Sequence, residues 1–191
     1  MHAPVAPQDL RSLPLLRYEG GIVVVDRPES VEAAAEQLRD APLLGFDTET
    51  RPAFKKGERH RPALIQLAAP GTVCIFQLRH AGFPPALISL LSSERPLKAG
   101  VGVRDDLKAL QELHPFNPAG FLDLADLAKA KGIPERGARS LAARFLGGRI
   151  SKGAQTSNWA ARVLTERQKR YAATDAWVCL RLHPLLAEGK P

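Results

Sequence analysis

An apolar run at residues 43–50, Leu-Leu-Gly-Phe-Asp-Thr-Glu-Thr, ends by presenting two carboxylates. The run predicts a buried β-strand, and side chains two residues apart on a strand share a face. Asp47 and Glu49 therefore point the same way, about 7 Å apart. Two anions so placed repel each other and resist burial unless a cation lies between them. A divalent metal ion meets that requirement, although ordinary solvated strand ends also carry such pairs.

Length and composition limit the class of protein. The chain has 191 residues, 45% of them hydrophobic and 25% charged, which is ordinary for one globular domain. Lys and Arg number 27 against 20 Asp and Glu, and the net charge of +7 favours a polyanionic partner. No eighteen consecutive residues are apolar, so we expect neither membrane insertion nor secretion. Cys74 and Cys179 are predicted to be reduced core residues of a cytoplasmic protein.

The order of the apolar patterns predicts an α/β fold. We assign residues 1–18 to a proline-rich N-terminal arm and residues 19–191 to a single domain. Strands are predicted at 22–25, 43–50, 63–69, 72–76 and 97–101, with a Pro-Gly turn making a hairpin of the third and fourth. Helices are predicted after Ser30, from Pro84, from Arg104, at 123–131, at 140–146 and after Thr165. Ser30 and Ser140 are predicted N-caps, and Thr165 with Gln168 forms a predicted capping box.

Most of the excess positive charge lies in residues 51–62. The basic residues of this stretch are Arg51, Lys55, Lys56, Arg59 and Arg61. The stretch has one acidic residue, Glu58, so its net charge is +4, out of +7 for the whole chain. The stretch begins two residues after Glu49 and must lie near the carboxylates. We predict that Lys55, Lys56 and Arg59 contact nucleic-acid phosphates, with a solvated surface loop as the alternative.

Two further stretches carry acidic residues in unusual positions. The last helix is apolar almost all round, yet it contains Asp175, with Tyr171 on the same face four residues earlier. A buried aspartate needs a hydrogen-bonding partner or a cation, and the same is true of Asp47. Asp105 and Asp106 open an earlier helix after a Gly-x-Gly turn that lacks the third glycine of a dinucleotide site. For at least one of these two we expect simple compensation of the helix dipole.

Three motifs resemble those of the DEDD superfamily of 3′–5′ exonucleases, in its tyrosine-containing branch. Phe-Asp-Thr-Glu-Thr at 46–50 resembles the first motif, residues 98–106 the second and residues 171–176 the third. Residues 157–177 are especially similar to the Werner-type and RNase D exonuclease domains. The resemblance covers about residues 22–185.

The resemblance implies an RNase H-like fold, with a mixed sheet flanked by helices, and two divalent ions, Mg²⁺ or Mn²⁺. From this resemblance, Asp47 would bridge both ions, and Glu49 and Asp175 would complete the ligands of one ion. Asp106 would hold the other ion. The family pattern selects Asp106 over its neighbour because it lies six residues after the first glycine. Tyr171 would orient the attacking water. The implied reaction releases mononucleotides from a single-stranded or recessed 3′ end of DNA or RNA.

Three residues near the third motif are candidates for the substrate side of the site. Lys152 and Arg162 are predicted to meet phosphates. Trp159 is a candidate for base stacking, although a core position is favoured for it.

A non-catalytic nucleic-acid-binding module on the same fold is the alternative function. Such modules usually lose carboxylates, because clustered anions without a ligand are costly, and all of them are present here. The sequence leaves DNA versus RNA, the preferred ion and the oligomeric state open.

Overall fold

The computed structural model describes residues 12–55 and 57–188. Within these residues, six strands form one sheet in the order β1-β4-β3-β2-β5-β6. The strands are β1 (Gly21–Val25), β2 (Leu43–Thr50), β3 (Pro62–Ala69), β4 (Thr72–Gln77), β5 (Leu97–Gly100) and β6 (Phe121–Asp123). β3 runs antiparallel to β2 and β4, and the other neighbours are parallel.

Helices cover both faces of this sheet. They are α1 (Val31–Arg39), α2 (Leu78–Ala81), α3 (Pro85–Ser92), α4 (Val103–Gln111), α5 (Leu124–Ala130), α6 (Ala138–Leu146) and α7 (Glu166–Glu188). Alternate side chains of β2 face opposite layers, since Leu44 and Phe46 join a core with α1 and α3. The other face packs against α7, supported by α5 and α6. The expected mixed sheet flanked by helices is confirmed.

Several local predictions are confirmed by hydrogen bonding. β3 and β4 form the expected hairpin around Pro70-Gly71. The capping box is present because the Thr165 N–H donates to Gln168 Oε1 at 3.0 Å and the Gln168 N–H donates to Thr165 Oγ1 at 3.3 Å.

Two predicted N-caps are wrong. Ser30 ends a 3₁₀ turn (Pro28–Ser30) and has helical backbone angles, so its side chain makes no capping bond to α1. Ser140 lies inside α6, which begins after Gly137, and its hydroxyl donates back to the Gly137 carbonyl at 3.0 Å. Serine inside a first turn commonly bonds its own backbone in this way.

The described part of the N-terminal arm packs on the domain. Leu16 N–H donates to the Arg149 carbonyl at 2.9 Å, and buried Tyr18 donates its N–H to Thr174 Oγ1 at 3.0 Å. Residues 1–11 of the predicted arm lie outside the described residues. Cys74 and Cys179 are buried free thiols. In the part of the chain that the structure describes, no helix combines the length and apolar character needed to cross a membrane.

Candidate active site

A glycine on β2 sets the distance between the sheet and α7. A Cβ at Gly45 would lie 1.9 Å from the Ala176 carbonyl oxygen, so only glycine lets the two backbones approach this closely. Asp47 follows Gly45 by two residues and shares its face, and Asp175 directly precedes Ala176. The close contact therefore brings the carboxylates of β2 and α7 together.

Three carboxylates meet where β2 ends. Asp47, Glu49 and Asp175 each offer an oxygen atom, and these atoms all lie within 4.8 Å of one another. All three side chains are partly buried. The two residues of β2 share a face, as the strand pattern predicts, and the aspartate of the last helix joins them.

Burial raises the pKa of each carboxyl group in the cluster, and repulsion between carboxylates raises those of Asp47 and Glu49 further. The pKa of Asp47 lies well above its usual range because of burial first, and then the charges of Asp175, Glu49 and Asp106. Burial, with the charges of Asp175 and Asp106, raises the pKa of Glu49 to about 9. Burial raises the pKa of Asp175 to about 7, against opposing effects of Tyr171 and Arg139. Without added positive charge, the cluster therefore resists full ionisation.

Asp106 approaches the cluster from α4. This helix begins after Gly102, whose φ of +74° favours glycine, and Asp123 accepts the Val103 N–H at 3.0 Å. The Asp106 carboxylate accepts a hydrogen bond of 2.5 Å from the Thr48 hydroxyl. Burial raises the pKa of Asp106 to about 6, partly offset by that bond.

Asp105, the neighbour of Asp106, is exposed. Of these two neighbours, it is Asp106 whose charge raises the pKa of Asp47 and of Glu49, so Asp106 is the one that faces the cluster.

Tyr171 stands beside Asp175 on α7. Burial raises the pKa of its hydroxyl, the charges of Asp175 and Glu49 raise it further, and Arg139 opposes them. The phenol is therefore protonated at neutral pH and can orient a ligand by hydrogen bonding. Its ring packs against Trp159 with the ring centroids 5.7 Å apart.

Asp47, Glu49, Asp175 and Tyr171 line one cleft of about 480 Å³. Its wall also includes Thr48 of β2 and the start of α6 with Arg139. Gln155 lies in the same wall and accepts a 3.0 Å hydrogen bond from Arg139 Nη2. Sequence reasoning missed Thr48, Arg139 and Gln155, because each falls outside the three motifs or between their acidic residues.

Residues 22–188 match the family described as 3′-5′ exonuclease. The chain belongs to this exonuclease family. It is 34% identical to the mouse bifunctional 3′-5′ exonuclease/ATP-dependent helicase WRN, over 92% of this chain and 13% of that protein. It is 29% identical to ribonuclease D of Gluconacetobacter diazotrophicus, over 87% of this chain and 42% of that protein. The exonuclease chain thus spans less than half of either relative.

The fold is also that of a solved exonuclease domain. The crystal structure of the Aedes aegypti Nibbler EXO domain superposes with a TM-score of 0.79 at 25% identity. The match covers 90% of this chain and 89% of that one. The resemblance to the DEDD exonucleases and the RNase H-like fold inferred from it are confirmed. By family, the chain is a nuclease of the hydrolase class.

The predicted substrate-side residues differ in their exposure to solvent. Trp159 is fully buried, so the base-stacking role is wrong and the core position is confirmed. The exposed members of the group are Lys55, Arg59, Lys152 and Arg162, whose role in binding stays a prediction. Lys56 lies outside the described residues.

Proposed function

We propose that the chain hydrolyses the terminal phosphodiester bond at the 3′ end of a DNA or RNA strand and releases mononucleotides. In this proposal two divalent ions, Mg²⁺ or Mn²⁺, are held by Asp47, Glu49, Asp106 and Asp175. The observation that carries it is the set of three carboxylate oxygens within 4.8 Å of one another, contributed by β2 and α7.

The donor set of the cleft fits hard divalent ions. Carboxylate oxygens suit Mg²⁺ and Mn²⁺, whereas thiolate or imidazole donors would favour softer metals. Cys179 lines the cleft, but burial and then the charge of Asp47 raise the pKa of its thiol, so it remains protonated. Two dications would also balance four carboxylates, which removes the repulsion that raises their pKa values.

Divalent ions in such a site stabilise the attacking and leaving oxygens of an in-line displacement and make bound water more acidic. The chain itself contributes positioning. Asp47 and Glu49 are fixed by the β2–β3 pairing, and Thr48 fixes the Asp106 carboxylate. The protonated Tyr171 hydroxyl is suited to orient the attacking water by a hydrogen bond rather than to remove its proton.

The substrate is proposed to be nucleic acid because the relatives are nucleases and the exposed loop beside β2 is basic. The named relatives include a ribonuclease and a helicase-linked exonuclease, so the proposal covers both RNA and DNA. A cytoplasmic setting is part of it, supported by the free thiols of Cys74 and Cys179. The alternative, a binding module without activity, is disfavoured because Asp47, Glu49, Asp175 and Tyr171 line one cleft and Asp106 is hydrogen-bonded to Thr48 of the same cleft.

Oligonucleotides labelled at the 5′ end test the proposal. Single-stranded DNA, single-stranded RNA and recessed-end duplexes are incubated with the chain in Mg²⁺ or Mn²⁺. We expect a ladder that shortens from the 3′ end and is absent for Asp175→Asn. Binding of the strands without shortening would support the non-catalytic module instead, and internal cuts would contradict exonuclease action.

A further inference from the structure

Arg139 is the one Lys or Arg among the described residues that line the cleft. It lies in the first turn of α6, lines the same cleft as the β2 carboxylates, and is partly buried. A guanidinium group is always charged and offers five N–H donors in a planar fork. Its position beside a cluster of carboxylates calls for an explanation.

Gln155 holds the Arg139 side chain across the cleft wall. Arg139 Nη2 donates to Gln155 Oε1 at 3.0 Å in an exposed hydrogen bond. The guanidinium also acts on the far side of the cleft, since its charge lowers the pKa of Tyr171 and of Asp175 against the larger effect of burial. Arg139, the Tyr171 hydroxyl and the Asp175 carboxylate line the same cleft, in which the reacting atoms would lie.

The charges of the site leave a place for this cation. Four carboxylates are balanced by two divalent ions, so a phosphodiester group that enters the cleft brings one uncompensated negative charge. Arg139 supplies one positive charge, and its planar fork matches two phosphate oxygens. The exposed Lys55 and Arg59 of the β2–β3 loop do not line the cleft, so Arg139 is the cation placed to meet a phosphate there.

We propose that Arg139 is a substrate-binding residue that contacts the phosphate undergoing cleavage, with Gln155 as the side chain that orients it. The proposal rests on the exonuclease function stated above. Arg139 is expected to hold the phosphate against the carboxylate cluster in the bound substrate and in the transition state, where negative charge increases. A purely structural role, in which Arg139 only ties α6 to Gln155, is the competing explanation.

Binding of a mononucleotide separates the two explanations without turnover. The probes are a nucleoside 5′-monophosphate and the same nucleoside without phosphate, titrated in Mn²⁺ by calorimetry. We expect the parent to prefer the monophosphate, and Arg139→Gln to weaken monophosphate binding at least tenfold while leaving the nucleoside unchanged. Arg139→Lys should lose part of the preference, since it keeps the charge and loses the fork.

Arg95→Gln is the matched control. Arg95 is exposed and lies two residues before β5, which runs parallel to β2, so it is at the end of these strands opposite the carboxylates. Its loss should leave both binding and turnover at the parent values.

Single-turnover hydrolysis should fall by about 10²–10³-fold in Arg139→Gln, as expected when a charged donor is removed from a developing anion.

The outcomes distinguish this inference from the function on which it rests. If the parent neither shortens any strand nor binds the monophosphate, the proposed function fails. If the parent is active and Arg139→Gln behaves as Arg95→Gln does, the function stands and Arg139 has no role with the phosphate. If monophosphate binding and rate fall in Arg139→Gln only together with its unfolding temperature, and Arg139→Lys has parent values of all three quantities, Arg139 is structural.

Discussion

Asp105 and Asp106 are neighbours on α4 that the structure separates by environment. Successive side chains on a helix point about 100° apart, so the two cannot face one site. Asp106 accepts the Thr48 hydroxyl at 2.5 Å and is partly buried, whereas Asp105 is exposed in the first helical turn. An acidic residue in that position compensates the helix dipole.

We therefore predict that Asp106→Asn abolishes most hydrolysis with a normal fold. Asp105→Asn should remain active and lose about 0.5 kcal/mol of unfolding free energy, the usual size of a dipole contribution. Turnover and thermal unfolding of both variants check this. Activity that survives the change at Asp106 and disappears with Asp105 would shift the register of the motif by one residue.

Tyr171→Phe removes one hydroxyl from the cleft. Its ring contact with Trp159 is kept, so the fold and metal binding should be retained. The rate should fall by about 10²–10⁴-fold, the range for a group that positions or transfers a proton. Parent-like turnover, measured at saturating substrate, would reduce Tyr171 to a packing residue.

Among the elements, the contact of β2 with α7 decides whether a site exists. We predict that Gly45→Ala displaces α7 from the sheet, because the new Cβ would meet the Ala176 carbonyl at 1.9 Å. The expected cost is about 1–3 kcal/mol of stability, with at least a tenfold loss of rate as Asp175 moves.

Gly21→Ala, in β1, is the control for that variant. Its Cβ would lie 3.6 Å from the Gly71 carbonyl oxygen, which is an ordinary contact. Parent-like stability and rate in Gly45→Ala, measured beside this control, would show that the close approach is dispensable.

The loop between β2 and β3 has a turn of its own. The Glu58 carboxylate accepts the Phe54 N–H at 3.1 Å and the Lys55 N–H at 3.3 Å, and lies 2.9 Å from His60. The acidic residue is thus engaged within the loop, while Lys55 and Arg59 are exposed. We propose that this loop acts as a clamp on the nucleic-acid strand.

Neutralising Lys55, Lys56 and Arg59 together should weaken substrate binding and flatten its salt dependence by up to about two units of slope for a single strand. Stability should change little. The same change at Arg95, Lys108 and Lys129, three exposed basic residues elsewhere, is the control. An unchanged slope would make the loop an ordinary solvated surface.

Periodicity explains which parts of this architecture could be predicted from the sequence. Asp47 and Asp175 each interrupt an apolar pattern, so the sequence alone indicates a functional site at both positions. β6 has three residues and α2 has four, which is too short for a period to show. Arg139 lies on a helix without a motif, and its role depends on a cleft formed by residues distant in the chain.

For the whole molecule, the carboxylate cluster links stability to pH and to metal. The folded-state pKa values of Asp106, Asp175 and Glu49 are raised to about 6, 7 and 9. Raised values mean that the folded state binds more protons than the unfolded state. The stabilisation of the folded state by these protons is therefore complete below about pH 4 and is lost as pH rises through those values. Bound divalent ions would replace the protons.

We predict that the rise in unfolding temperature on adding Mn²⁺ to chelated protein grows between pH 5 and pH 8. Burial lowers the pKa of Lys98 to about 8, at the upper end of this window, but Lys98 is not part of the cluster and its titration should affect both solutions alike. Thermal unfolding in chelator and in Mn²⁺ measures the difference at each pH. A difference that stays constant across the window would contradict the link between the cluster and the metal.

The central claim, that one cluster of carboxylates binds divalent ions and thereby hydrolyses the 3′ end, is tested most directly by one titration. Mn²⁺ is added to chelated protein while calorimetry counts bound ions and a labelled strand reports hydrolysis in the same buffer. We predict two ions per chain, hydrolysis that appears as they bind, and loss of both in Asp47→Asn. Full-rate hydrolysis in excess chelator, or an Asp47→Asn variant that binds and cleaves as the parent does, would contradict the claim.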